Sequence, residues 1–279
     1  MEQLRTIFFL GILTGLFLLI GGILGGSDGV VIAFVFAVLM NGVSYFFSDK
    51  IVLAMYRAKP FDAKSSEGKR VYGLVHGVAQ RMHIPNPKIY TIEEKSPNAF
   101  ATGRNPNNAA VVFTQGILQL LNDTELEGVI AHELSHVKNR DILIASMAAT
   151  IAGAIGMLAH MMMWSSMGNN DRDGKNMIGL IIVAISVPII ATLIQLAVSR
   201  SREFLADETA AHTLHSGSGL ASALRKLEAG IHSRPFNEAN SGTAHLFIAN
   251  PFAGMGIIEL FHTHPPMHER VKRLEAIRA

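Results

Sequence analysis

The chain has 279 residues, of which 49% are hydrophobic and only 16% charged, with a mean hydropathy of +0.30. Soluble domains carry about 25% charged residues, so the balance is that of a membrane protein. A formal net charge of +2 without a basic, aromatic-studded stripe excludes a nucleic-acid surface, and the absence of cysteine excludes disulfides and thiolate metal ligands.

Four apolar runs reach spanning length, about 20 residues for a helix crossing ~30 Å of hydrocarbon. They cover 6–26, 29–47, 142–166 and 177–199, and none contains Asp, Glu, Lys or Arg. The first is too long for the apolar core of a signal peptide and reads as an uncleaved anchor. Glycines at Gly11, Gly15, Gly21 and Gly25 have a spacing that allows close helix approach, although membrane helices are glycine-rich in any case. If all four runs span, every Lys and Arg except Arg172 and Lys175 lies on one side, which is then cytoplasmic.

The predicted organisation is two N-terminal transmembrane helices (1–48), a first part of the domain outside the membrane (49–141), a transmembrane hairpin (142–199) and the second part of that domain (200–279). The fold class is thus an α-helical membrane protein with four spans and a cytoplasmic α+β domain. Within 49–141, a helix is expected over 66–82, with Val71, Leu74, Val75 and Val78 on one face. A strand should follow "IPNP", and "NAFATGRNPNNAAVVFT" should form two short strands around a polar turn. Thr124 with Glu127 fits a capping box and predicts the start of the next helix.

That helix carries "HELSH". Residues four apart share a helical face, so His132 and His136 can both place ring nitrogens on one ion. Glu133 sits one step round, where it can take a proton from water beside the metal. The flanking Ile130, Ala131 and Val137 argue that this is not a solvated polar face, where His and Glu would cost nothing. Downstream, in "SREFLADETAA", Glu203 and Asp207 again share a face. Glu203 could supply the third ligand and leave the fourth zinc position open, with Asp207 accepting a hydrogen bond from a ligand imidazole. Equally, both carboxylates could pair with Arg202 on a solvated surface. His136 lies six residues before residue 142 and Glu203 four after residue 199, so both ligand helices extend apolar runs and leave the membrane on the same side.

"AHELSHVKNRD", "REFLAD", "SPNAFATG" (96–103) and "HPPMHER" (264–270), in this order around four apolar runs, resemble the HtpX family of membrane zinc metalloproteases over nearly the whole chain. The resemblance implies a gluzincin-type, zincin-like endopeptidase of the bacterial inner membrane, degrading misfolded or damaged membrane proteins in stress-linked quality control. It implies one zinc per chain on His132, His136 and Glu203, Glu133 as general base and acid, and Asn98 and Ala99 holding substrate backbone on an edge strand. The tail departs from the family pattern at Met267 and His268. Arg270 or His264 could stabilise the oxyanion formed when water attacks the peptide carbonyl. The partners expected are unfolded membrane proteins and the lipid bilayer; nothing specifies an oligomeric state. Two rival readings are a CAAX-type prenyl endopeptidase and a non-catalytic membrane scaffold or holdase; four spans are few for the first, and Glu133 has no purpose in the second.

Overall fold

In a computed structural model, residues 2–148, 150–151, 200–233, 246–248 and 265–277 are described. Their centre is a four-stranded sheet of order β1-β2-β4-β3, formed by β1 (Lys59–Pro60), β2 (Lys88–Ile92), β3 (Ala99–Gly103) and β4 (Ala109–Thr114). β4 runs parallel to β2 and antiparallel to β3, with Phe100 opposite Val112 and Ala101 opposite Val111. Side chains alternate across a strand. Val111, Phe113, Ala99 and Ala101 therefore enter one core with the helices, while Phe100 and Val112 enter a second on the opposite face. β3 is left as an edge.

On the first face lie α2 (Ser66–Arg81), α3 (Gln115–Leu120), α4 (Asp123–Lys138), α5 (Arg200–Leu214), α6 (Ser218–Ser233) and α7 (Met267–Ala276). α2 buries Val71, Val75 and Val78 of the expected stripe, with Ala79 added and Leu74 half-buried against the same core, and the Ser65 hydroxyl caps it by accepting from Gly68 N. α4 is buried on nearly every side between sheet, α2, α5 and α6, with Gly128 against the backbone of Leu220. Its start differs from the expected one. Asn122 is the N-cap and forms the capping box with Glu125, because Leu121 is still extended and Asn122 has the reach to accept from Glu125 N. Glu127 instead pairs with Arg81 at 2.6 Å.

Among the described residues, four helices end in a left-handed residue that is not glycine. Arg57, His83, Arg140 and His215 each adopt a left-handed φ between 49° and 60°. Each is followed by a residue whose N–H reaches back five positions, as in Asp141 N to His136 O at 2.9 Å. These are Schellman ends, and a non-glycine residue there costs about 1 kcal/mol.

α1 (Glu2–Met55) is helical along its whole length, yet it is not one rod. Asn41 Nδ2 donates to Thr14 Oγ1 at 2.9 Å, and the rings of Phe17 and Phe36 meet edge-on at 5.2 Å. Twenty-seven residues of straight helix would separate the first pair by roughly 40 Å. The chain folds back on itself where Gly26 takes φ 57°, and a Cβ on Gly21 would collide with the Gly29 carbonyl and with Ala33. Close approach thus depends on Gly21, whereas Gly11 and Gly15 face open space.

Among the described residues one helix, Gly26–Met55, is long and apolar enough to cross a membrane; Leu10–Leu19 in the other arm is shorter. Val31, Ile32, Val35, Val38, Leu39 and Phe46 are exposed along it, a surface suited to lipid. Of the four spans expected, the third and fourth fall outside the described residues, apart from the helical stretches 142–148 and 150–151. At its inner end α1 enters the second core, where Val52 and Tyr56 pack on Phe100, Val112 and Phe247.

Candidate active site

Three elements converge on the first face of the sheet. α4 brings His132, Glu133 and His136, α5 brings Glu203 and Asp207, and α7 brings Arg270. The residues expected as metal ligands meet although Glu203 lies 67 positions beyond His136. His132 Nε2 lies 3.3 Å from His136 Nε2 and 3.5 Å from Glu203 Oε2, and His136 Nε2 lies 3.3 Å from Glu203 Oε1. Zinc ligands at tetrahedral corners, about 2.0–2.1 Å from the ion, stand about 3.3–3.4 Å apart. The imidazole pair stands at that spacing and Glu203 faces each ring through a different oxygen, so the donor set fits zinc in its chemistry and in its closeness.

Each imidazole is held from behind by a carboxylate. His132 Nδ1 is 2.9 Å from Asp207 Oδ1, and His136 Nδ1 is 3.4 Å from Asp141 Oδ2. Burial alone would lower the pKa of His136, but Glu203 and Asp141 outweigh it and push the ring up to about 10. His132 is likewise raised against burial and the charge of Arg270, by Asp207 and Glu203. Such a pocket holds positive charge on its imidazoles, and a metal ion would take the place of those protons.

Glu133 is buried beside this cluster, and its Oε2 accepts a hydrogen bond from Ala101 N at 2.9 Å. Burial pushes its carboxyl up to about 7, with a further push from Glu203, against the pull of His132, His136 and the Ala101 N–H. A carboxylate poised near neutrality is suited to moving protons.

Arg270 is fully buried and lies behind the cluster. Its Nε and Nη2 bind both oxygens of Asp207 at 2.8 and 2.7 Å, and Nη1 donates to the Ile248 carbonyl at 3.2 Å. Burial opposes its charge, but Asp207 and Glu203 hold the guanidinium firmly protonated. In turn, Arg270 overcomes the effect of burial on Asp207 and keeps that carboxyl down at about 2. His264 lies outside the described residues.

Asn98 is buried just before the edge strand, where its Oδ1 accepts from Ala99 N. The outer edge of β3 faces Glu133. Ala101 N bonds Glu133, Gly103 N donates to Ser146 Oγ at 3.3 Å, and the Ala99 carbonyl accepts from Ile248 N at 3.2 Å. The sequence does not single out Asp141, Ala101 or Ile248, and it offers Arg202 only as a partner of Glu203 and Asp207, whereas its Nη1 lies 3.4 Å from Asp141 Oδ1. The position of Asp141 inside "SHVKNRD" was the one available signal.

Comparison with known proteins points to one family. The model of Peptidase family M48 matches residues 65–278. A "Protease HtpX homolog" of Syntrophobacter fumaroxidans is 49% identical over 282 residues, covering 99% of each chain. One from Sulfurihydrogenibium is 52% identical over 286 residues (99% of this chain, 96% of the relative). One from Thermococcus sibiricus is 50% identical over 280 residues (98% and 95%). Among solved structures, that of S. mikatae Ste24p shares the fold with a TM-score of 0.52 at 20% identity, over 95% of this chain and 62% of that one. Fold and site together define a metalloprotease. The chain belongs to peptidase family M48, and within it to the HtpX proteases.

Proposed function

We propose that the chain is a zinc-dependent endopeptidase of the bacterial inner membrane that hydrolyses peptide bonds of misfolded or damaged membrane proteins at the cytoplasmic face. The observation that carries the reading is the cluster of His132, His136 and Glu203, whose donor atoms lie within 4.8 Å of one another, with the buried Glu133 beside it. Zinc held there would polarise the scissile carbonyl and make nearby water more acidic. Glu133, steadied by the Ala101 N–H, takes a proton from that water and passes it to the leaving amine. Asp207 accepts from His132 Nδ1 and leaves Nε2 free to bind metal. Arg270 keeps Asp207 in place through Nε and Nη2, while its Nη1 donates to the Ile248 carbonyl and lies 3.8 Å from Glu203 Oε2, so it acts as a positioning residue, not as a donor to the oxyanion.

An extended peptide adding to the edge of β3, guided by Asn98 and Ala99, would present its backbone beside Glu133 whatever its side chains, which suits varied unfolded substrates. To reach the Ala99 carbonyl it must displace Ile248. The exposed apolar face of Gly26–Met55 and the bias of Lys and Arg to one side support a multi-pass topology with four spans and both termini cytoplasmic.

The test is casein cleavage by the detergent-purified full chain, wild type beside Glu133→Gln, with bound zinc counted in both. Cleavage by wild type alone, with about one zinc in each protein, is the expected result. Zinc in both and cleavage by neither would favour a scaffold. A lone cysteine at position 170 should be labelled only from outside the cell, and labelling from the cytoplasm would refute the four-span topology.

A further inference from the structure

Each ligand histidine has its own carboxylate at Nδ1, and each carboxylate has its own arginine. The pair Asp207–Arg270 was described above. The other is Asp141, whose Oδ2 lies 3.4 Å from His136 Nδ1 and whose Oδ1 lies 3.4 Å from Arg202 Nη1. Asp141 is nearly buried, at 6% exposure.

Local backbone chemistry brings it there. Asp141 follows the left-handed Arg140 at the end of α4, and the Schellman closure of its N–H on the His136 carbonyl at 2.9 Å turns the chain back beside the ring of that same residue. Arg202 reaches it from the first turn of α5, one residue before Glu203. The arginine therefore ties the end of the helix carrying both histidines to the start of the helix carrying the third ligand.

We infer that Asp141 is a positioning residue for His136, holding its ring by Nδ1 so that Nε2 points at the metal, and that Arg202 acts through Asp141. The inference rests on the zinc reading of the site. Residues behind a ligand imidazole commonly govern metal affinity by about 10–100-fold.

The test is zinc affinity of the full chain in detergent by competition with a chromogenic chelator, corrected for folded fraction by circular dichroism. Asp141→Ala should weaken zinc binding at least about 10-fold. Asp141→Asn keeps an oxygen for the Nδ1–H and should recover part of that loss. Arg202→Met should weaken binding alone but add nothing to Asp141→Ala. Glu127→Gln, removing a surface pair on the same helix, should leave the affinity unchanged. A wild-type zinc affinity in folded Asp141→Ala overturns the inference, as does Asp141→Asn binding no better than Asp141→Ala. If the alanine variant does not fold, a wild-type affinity in Asp141→Asn and Arg202→Met alike overturns it too. Failure of the wild type itself to bind zinc overturns the zinc reading instead.

Discussion

Ala101 N–H donates to Glu133 Oε2 at 2.9 Å, joining the edge of the sheet to the helix that carries the ligands. One bond thereby sets the position of the base relative to the strand on which a peptide would lie. Burial, against the pull of that bond, holds the pKa of Glu133 in the fold at about 7, above its ordinary 4.5.

A raised pKa means that the protonated form stabilises the fold. The contribution is full below about pH 4.5 and is lost as pH rises through about 7. Glu133→Gln keeps an oxygen for Ala101 and never carries the charge. In zinc-stripped protein the variant should therefore melt above wild type at pH 8, by the equivalent of about 1–3 kcal/mol, and the gap should close towards pH 5. Thermal melts across that range check this, and a gap independent of pH would refute it.

Asp207 has the opposite sign. Its pKa is depressed to about 2, so its stabilisation is present above about pH 4 and disappears as pH falls through about 2. Asp207→Asn leaves Arg270 buried without its counter-charge and should cost about 3 kcal/mol near neutrality. Urea unfolding of the two proteins should show the difference shrinking between pH 4 and pH 2.

Two glycine substitutions should act in opposite directions. A Cβ at Gly128 would stand 2.6 Å from Leu220 N and 2.8 Å from its Cα, so α4 and α6 must separate. Gly128→Ala should destabilise by about 1–3 kcal/mol. At Gly77 in α2 a Cβ meets nothing within 4 Å, and Gly77→Ala should stabilise by about 0.5–1 kcal/mol. Denaturant midpoints of the two variants give the comparison.

The reversal within α1 predicts a crosslink. The chain has no cysteine, so Thr14→Cys with Asn41→Cys introduces the only pair. Mild oxidation should join them within one molecule, seen as a mobility shift on non-reducing gels. Adding Gly21→Leu should suppress the crosslink by forcing the arms apart. A straight helix would give no crosslink in either protein.

The candidate site was largely legible because its logic is local. Spacing of four on a helix places His132 with His136 and Glu203 with Asp207, whatever the tertiary fold. The α2 stripe was equally plain. What escaped depends on contacts between distant segments. β1 is two residues, Lys59 and Pro60, and is a strand only because β2 lies beside it. α4 is capped at Asn122, two residues before the expected cap, and the side chain of Glu127 is claimed by Arg81, 46 positions away. Asp141 was hidden because a Schellman end is usually announced by glycine, and here Arg140 takes that conformation. For Arg270 the sequence suggested a residue facing substrate; only the fold shows it enclosed with Asp207.

The apolar helix Gly26–Met55 runs into the catalytic fold with no slack between them: Tyr56 is already core, Arg57 closes the helix, and Lys59 begins the sheet. A flexible tether of n residues would let a domain roam by about 5–6 Å × √n. Here that freedom is close to zero. With α1 set in a bilayer as proposed, the site would stand at one fixed height, and a bond would be cut only where its chain can be drawn out to that height.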